Sequence, residues 1–142
     1  MNTVLQRVGT IYIPVQNPEL SSKWYQDMLG AVENYRDDDK AILDFANQSF
    51  FLVKARLGEK AAFHDEKGYE WFMMTFEVDG NEQLAELHST LKEKGVTVGG
   101  IEDRGHPGNN FVFYDLDGNK FDVWSELSAL FKEQRDGSRA SK

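Results

Sequence analysis

The sequence predicts an α+β fold: two βαβββ modules whose mixed sheets curl around a cleft. Two spacings and one pattern carry this. Gly30 and Gly95, which end the two amphipathic helical segments, stand 65 residues apart. Val15 and Val78, which close the strands leading into those helices, stand 63 apart. In both halves the hydrophobic period runs strand, helix, then three strands. A near-constant offset with matched element order marks an internal duplication. One half has too small a core to stand alone, so the halves pair. The chain is thus expected to form one domain, 1–142, from modules at about 7–56 and 69–126, with a short final helix at about 127–134.

The elements follow in order. "VGTIYIPV" alternates, with Ile11, Ile13 and Val15 on one face and Thr10 and Tyr12 on the other, as a half-buried strand does. In "NPELSSKWYQDMLG", Asn17 suits an N-cap and Pro18 the first helical position. Leu20, Trp24, Tyr25, Met28 and Leu29 form the expected buried stripe, and Gly30 the stop. "AVENYR", "AILDF" and "SFFLVKA" are three strands, the last two joined as a hairpin at Ala46-Asn47. Residues 57–68 are polar and glycine-containing, a linker. "YEWFMMTFEV" then opens the second module with Phe72, Met74, Phe76 and Val78 on one face. "NEQLAELHSTLKEKG" is a helix buried through Leu84, Leu87 and Leu91. "VTVGGI", "NFVFYD" and "KFDVW" complete the strands, and the tail "FKEQRDGSRASK" is expected to fray.

Composition narrows the function. With 24 acidic against 16 basic residues, the net charge is −8. That disfavours nucleic acid and anionic membrane as partners, since both require basic surface. No apolar run approaches the length of a membrane span, and the opening residues are not expected to act as a signal peptide. The absence of cysteine removes thiol nucleophiles, thiolate metal sites and disulfides, and fits a cytoplasmic setting. No phosphate loop, dinucleotide fingerprint or nucleophile elbow is present.

Three stretches carry a family resemblance: "IYIPVQNPELSSKWYQDMLG", "FMMTFEVDG" and "FVFYDLDGNKFDVWSE". Together they resemble the vicinal oxygen chelate superfamily, which includes glyoxalase I, bleomycin-resistance proteins and extradiol dioxygenases. The family's final motif is similar to Phe-x-Asp-Pro-Asp-Gly-Asn-x-x-Glu, and here it ends in Asp122. The resemblance covers about residues 7–126 and implies the glyoxalase/bleomycin-resistance-like fold, with a homodimer. It also implies a metal centre of His, Glu or Gln side chains from four strands, which suits zinc, nickel, iron or manganese. The corresponding positions here are Thr10, Leu52, Met73 and Asp122. Threonine and leucine bind such ions poorly, and a thioether prefers soft ions. No metal and no cofactor are therefore expected.

Of the histidines, His64 falls in the linker and is expected to be solvated, and His88, near the helix stripe, is expected to be half-buried and structural. His106, in the loop "RGHPGNN", could lip the cleft. Strand alternation places Thr10, Tyr12, Phe50, Leu52, Met73, Thr75, Asp122 and Trp124 on the cleft wall. With His106 these are the candidate ligand-binding residues, and no residue is assigned a catalytic role. The wall is apolar and aromatic with a few polar points, as ligand pockets are. The function expected is metal-independent sequestration of an aromatic or amphiphilic small molecule. The alternatives are a lyase, isomerase or dioxygenase of the same superfamily, with or without metal, and a non-catalytic dimeric interaction domain.

Overall fold

In a computed structural model, residues 4–140 are described, with side chains through residue 137. The chain divides into two compact units. The first holds residues up to Glu70 together with the turn Asp115–Asn119. The second holds Trp71–Tyr114 and the residues from Lys120 onward. The fold is α+β.

In the first unit, strand β1 (Thr10–Val15) leads into helix α1 (Pro18–Leu29), followed by β2 (Val32–Arg36), β3 (Lys40–Phe45) and β4 (Gln48–Lys54). The sheet order is β1-β4-β3-β2, with β1 parallel to β4 and the other pairs antiparallel. Asn17 Oδ1 accepts from the Leu20 amide at 3.1 Å and opens α1; Gly30, at φ 70°, closes it. The β3–β4 turn is formed by Ala46 and Asn47, both at positive φ (49° and 60°), the geometry that matches the strands' own twist.

One expectation about α1 is corrected. Leu20 is exposed, and Ser21 and Ser22 take the buried positions with Tyr25. Their hydroxyls tolerate burial because each finds a carboxylate: Ser21 donates to Asp117 and Ser22 to Glu33, both at 2.8 Å.

The segment expected to be a linker contains β5 (Ala62–His64), which pairs with β6 (Glu70–Phe72). The turn between them is closed by Asp65, whose Oδ1 accepts from the Lys67 and Tyr69 amides. The strand expected over 69–78 is broken at Met73-Met74 and resumes as β7 (Thr75–Glu77). Helix α2 (Asn81–Glu93) buries Leu84 and Leu91, as expected. The third strand expected, at 96–101, is reduced to an isolated bridge from Val98 to Phe113, and a second bridge joins Glu102, just beyond it, to Asn110. At Gly99 the chain lies so close to Val112 that an added Cβ would come within 2.9 Å of its methyl carbon. β8 (Asn110–Tyr114) and β9 (Lys120–Trp124) complete a sheet of order β7-β9-β8, again with the opening strand parallel to the last. Helix α3 (Ala129–Ala140) is longer than the short helix expected, and it includes most of the tail expected to fray. Residues 141 and 142 lie outside the described residues.

The Asp-Gly-Asn turn is anchored in the first unit. Asn119 is fully buried; its Nδ2 donates to Pro14 O (2.9 Å) and Asp115 Oδ2 (2.8 Å), and its Oδ1 accepts from the Ala61 amide (2.7 Å). The Tyr25 hydroxyl donates to Asp115 Oδ2 at 2.5 Å, and the Asp117 and Asn119 amides donate to Oδ1. Burial pushes the Asp115 carboxyl above its ordinary value, and these donors only partly oppose it.

Two predictions follow from this knot. Asn119→Ala leaves a carbonyl and an amide buried without partners and should cost about 2–4 kcal/mol in urea unfolding. A carboxyl raised by folding contributes its full stability below its unfolded pKa and loses it as pH rises through the folded one. Asp115→Asn removes that loss, so its stability relative to wild type should rise as pH increases through and above the ordinary carboxyl range, compared by urea unfolding at each pH.

Candidate functional site

The site is built on β9 in the second unit. Phe121 and Val123 are fully buried, Phe121 against the rings of Phe76 and Phe113. Between them is Asp122, only 2% exposed. A carboxylate taken out of water costs several kcal/mol unless it is matched. The neighbouring strands supply the match. Thr75 stands opposite Asp122 on β7, and its hydroxyl donates to Oδ2 at 3.0 Å. Asn110, at the start of β8, donates its Nδ2 to the same oxygen at 2.9 Å. Arg104 brings Nη2 to 3.1 Å from Oδ1 and Nε to 3.6 Å from Glu102, with its guanidinium 5.8 Å from the Phe72 ring centre. The pairing is one of charge. Among the described residues Oδ1 accepts no well-directed hydrogen bond, nor does Asn110 Oδ1.

Trp124 follows on the same strand. Its indole N–H donates to the Pro107 carbonyl at 2.9 Å, and the His106 ring meets it edge-on at 5.8 Å. His106 Nδ1 lies 2.9 Å from that same carbonyl. A carbonyl only accepts, so in this contact Nδ1 is the donor. The loop is fastened to β9 by Asn109 N donating to Ser125 Oγ (2.8 Å) and Ser125 N donating to Asn109 O (3.0 Å). Asp122, Arg104, His106 and Trp124 border an open groove of about 620 Å³, whose wall also includes Phe72, Glu77 and Glu126.

Thr75, His106, Asp122 and Trp124, all named from sequence, therefore meet at one groove. Met73 is not in its wall; it is 58% exposed at the break between β6 and β7. That break shifts the alternation, so Phe72 lines the groove in its stead. In the first unit, Thr10 is half-buried and Tyr12 is 60% exposed. The parallel register pairs Tyr12 with Phe51 and Ile13 with Leu52. The β4 residues sharing a face with Thr10 and Tyr12 are thus Ser49, Phe51 and Val53. Phe50 and Leu52, expected on that face, are fully buried on the other, with Phe50 stacked on Phe45 and Phe45 against Tyr25 of α1.

Arg104 and Asn110 were not singled out from sequence. Arg104 stands two residues before His106 in "EDRGHPG", and an acid in the middle of a strand calls for such a cation. His88 packs edge-on against Phe111, with Nε2 2.8 Å from Gly99 O, and has a structural role; His64 is exposed.

The residues present do not fit a divalent metal. Among the described residues no three His, Cys, Asp or Glu side chains gather where they could hold an ion. Asp122, which the resemblance alone sets at the position of a family metal ligand, faces a hydroxyl, an amide N–H and a guanidinium, which are hydrogen-bond donors or a cation. A guanidinium at 3.1 Å competes directly with any metal for that carboxylate.

A sequence profile of the glyoxalase/bleomycin resistance protein/dioxygenase superfamily matches residues 7–123. The chain belongs to this superfamily. Among solved structures it is similar to the fosfomycin resistance protein FosX from Listeria monocytogenes, in complex with Mn(II) and sulfate. That likeness has a TM-score of 0.69 at 18% identity, over 94% of this chain and 99% of that one. Lactoylglutathione lyase from Agrobacterium tumefaciens gives 0.67 at 12%, over 86% and 95%. A putative glyoxalase family protein from Bacillus anthracis gives 0.65 at 16%, over 87% and 98%. At these identities the likeness is one of fold. No protein with a curated description matches.

The loop over Trp124 gives a test of the site's construction. Gly108 has φ 78°, and a Cβ there would lie 2.7 Å from Ser125 Oγ and 2.9 Å from Trp124 Nε1. Gly108→Ala should shift tryptophan fluorescence as the indole leaves Pro107, and should destabilise by about 1–3 kcal/mol in urea unfolding.

Proposed function

We propose that the protein binds a small aromatic or amphiphilic molecule in the groove of its second unit without a metal ion. The observation that carries this reading is the Arg104–Asp122 pair. The acid that stands where the family's last metal ligand belongs is buried and engaged by Thr75, Asn110 and a guanidinium. Around it, Trp124, Phe72 and His106 offer flat surfaces, the usual lining of a ligand site. Sequestration requires only such a surface, with no bond made or broken. We further propose that it acts as a cytoplasmic homodimer. Among the described residues no helix is long and apolar enough to cross a membrane.

Gently purified protein should contain far less than one equivalent of zinc, nickel, iron or manganese by elemental analysis. Its melting temperature should be unchanged by chelator or by any of these ions, whereas members of an aromatic and amphiphilic compound set should raise it. Stoichiometric bound metal, or melting that depends on metal, would overturn the reading. Light scattering should give twice the chain mass.

A further inference from the structure

We infer that the groove's ligand carries a protonated amine or amidine on a flat apolar body, and that Arg104 is the intramolecular stand-in for that cation. The inference rests on the metal-independent reading and adds the ligand's chemical class.

Charge comes first. The groove wall holds three acids, Glu77, Asp122 and Glu126, against a single lysine or arginine, Arg104. The chain's net charge of −8 favours the approach of cations over anions. Arg104 is also an unpromising receptor for an anion, because its charge is already shared between Asp122 and Glu102.

The second observation is independent of charge. Two acceptor atoms in the same wall, Asn110 Oδ1 and Asp122 Oδ1, are buried without a hydrogen-bond partner among the described residues. The residues themselves are 3% and 2% exposed. The orientation of Asn110 is fixed, because its Nδ2 must face Asp122 Oδ2; turning the amide over would set oxygen against carboxylate. Its oxygen is thus the free end. Buried acceptors destabilise a fold until a donor reaches them. An ammonium or amidinium supplies several N–H groups from one centre, the chemistry that such acceptors lack.

Arg104 shows how such a group would sit. Its guanidinium, a planar cation, lies beside Asp122 and over Phe72, with 27% of the side chain exposed. It balances the charge of Asp122 without giving Oδ1 a directed hydrogen bond, so a better-placed donor gains what Arg104 does not provide. Arg104 lies between the Glu102 bridge and β8, outside any helix or strand. The ligand's apolar body then rests on Trp124 and Phe72, whose faces also attract cations.

Benzamidine, a flat amidinium at neutral pH, and benzoate, its anionic counterpart, are the probes. Calorimetric titration of wild-type protein should show benzamidinium binding that weakens with salt, and no binding of benzoate. Asp122→Asn should weaken benzamidinium about tenfold or more, since the charged acceptor is lost. Arg104→Ala should tighten it, by a factor equal to the competition that Arg104 exerts. Should Arg104→Ala fold poorly, benzamidinium should raise its melting temperature more than that of wild type. Benzoate binding that Arg104→Ala abolishes would overturn the inference, as would benzamidinium binding unchanged by Asp122→Asn or absent from both wild type and Arg104→Ala. If benzamidinium fails while neutral aromatic compounds still stabilise metal-free protein, the inference falls and the metal-independent reading stands. If ligands bind only after metal is added, that reading falls as well.

Discussion

A carboxylate buried in the middle of a strand sets the terms for everything around it. Asp122 lies between Phe121 and Val123, which the core needs, so it cannot turn out to water. Its charge must be met from the strands on either side and from whatever covers it. β7 and β8 supply Thr75 and Asn110, and the loop ahead of β8 supplies Arg104. The same requirement gives the groove its character. Arg104 is drawn over Phe72, the loop carrying His106 and Pro107 settles on Trp124, and the wall becomes aromatic with a guarded acid at its centre.

A strand carboxylate beside several converging ligand side chains can hold a cation from solution. Beside Asp122 the cation is a side chain, Arg104. A guanidinium on a loop differs from a metal ion in one respect that matters for binding. It is tethered, so on the reading proposed above a ligand cation competes with it at a fixed effective concentration. On that reading, affinity is set by how easily Arg104 moves aside as well as by the ligand's own contacts.

Much of the fold was legible because local chemistry and tertiary need agree. Asn17 followed by Pro18 marks a helix start, Ala46-Asn47 adopts the turn the flanking strands require, and Leu84 and Leu91 lie on one helix face. What was not legible depends on neighbours distant in sequence. "YEWFMMTFEV" alternates without interruption, and nothing local announces the break at Met73-Met74 that moves Phe72 into the groove. Phe50 and Phe51 are chemically alike, so only pairing with β1 decides which of them is buried. Ser21 and Ser22 displace Leu20 from the buried face because Asp117 and Glu33 await their hydroxyls. At the site, Thr75, Asp122 and Trp124 could be named from alternation. Arg104 and Asn110 could not, since their role exists only once Asp122 is known to be buried.

On the reading proposed here Asp122 is held by Arg104 and not by a metal ion. A crystal soaked in manganese and zinc, with anomalous data collected at each metal's absorption edge, tests this. No anomalous peak should appear near Asp122, and the Arg104 guanidinium should remain beside its carboxylate. An anomalous peak on Asp122 Oδ1, with Arg104 displaced, would contradict it.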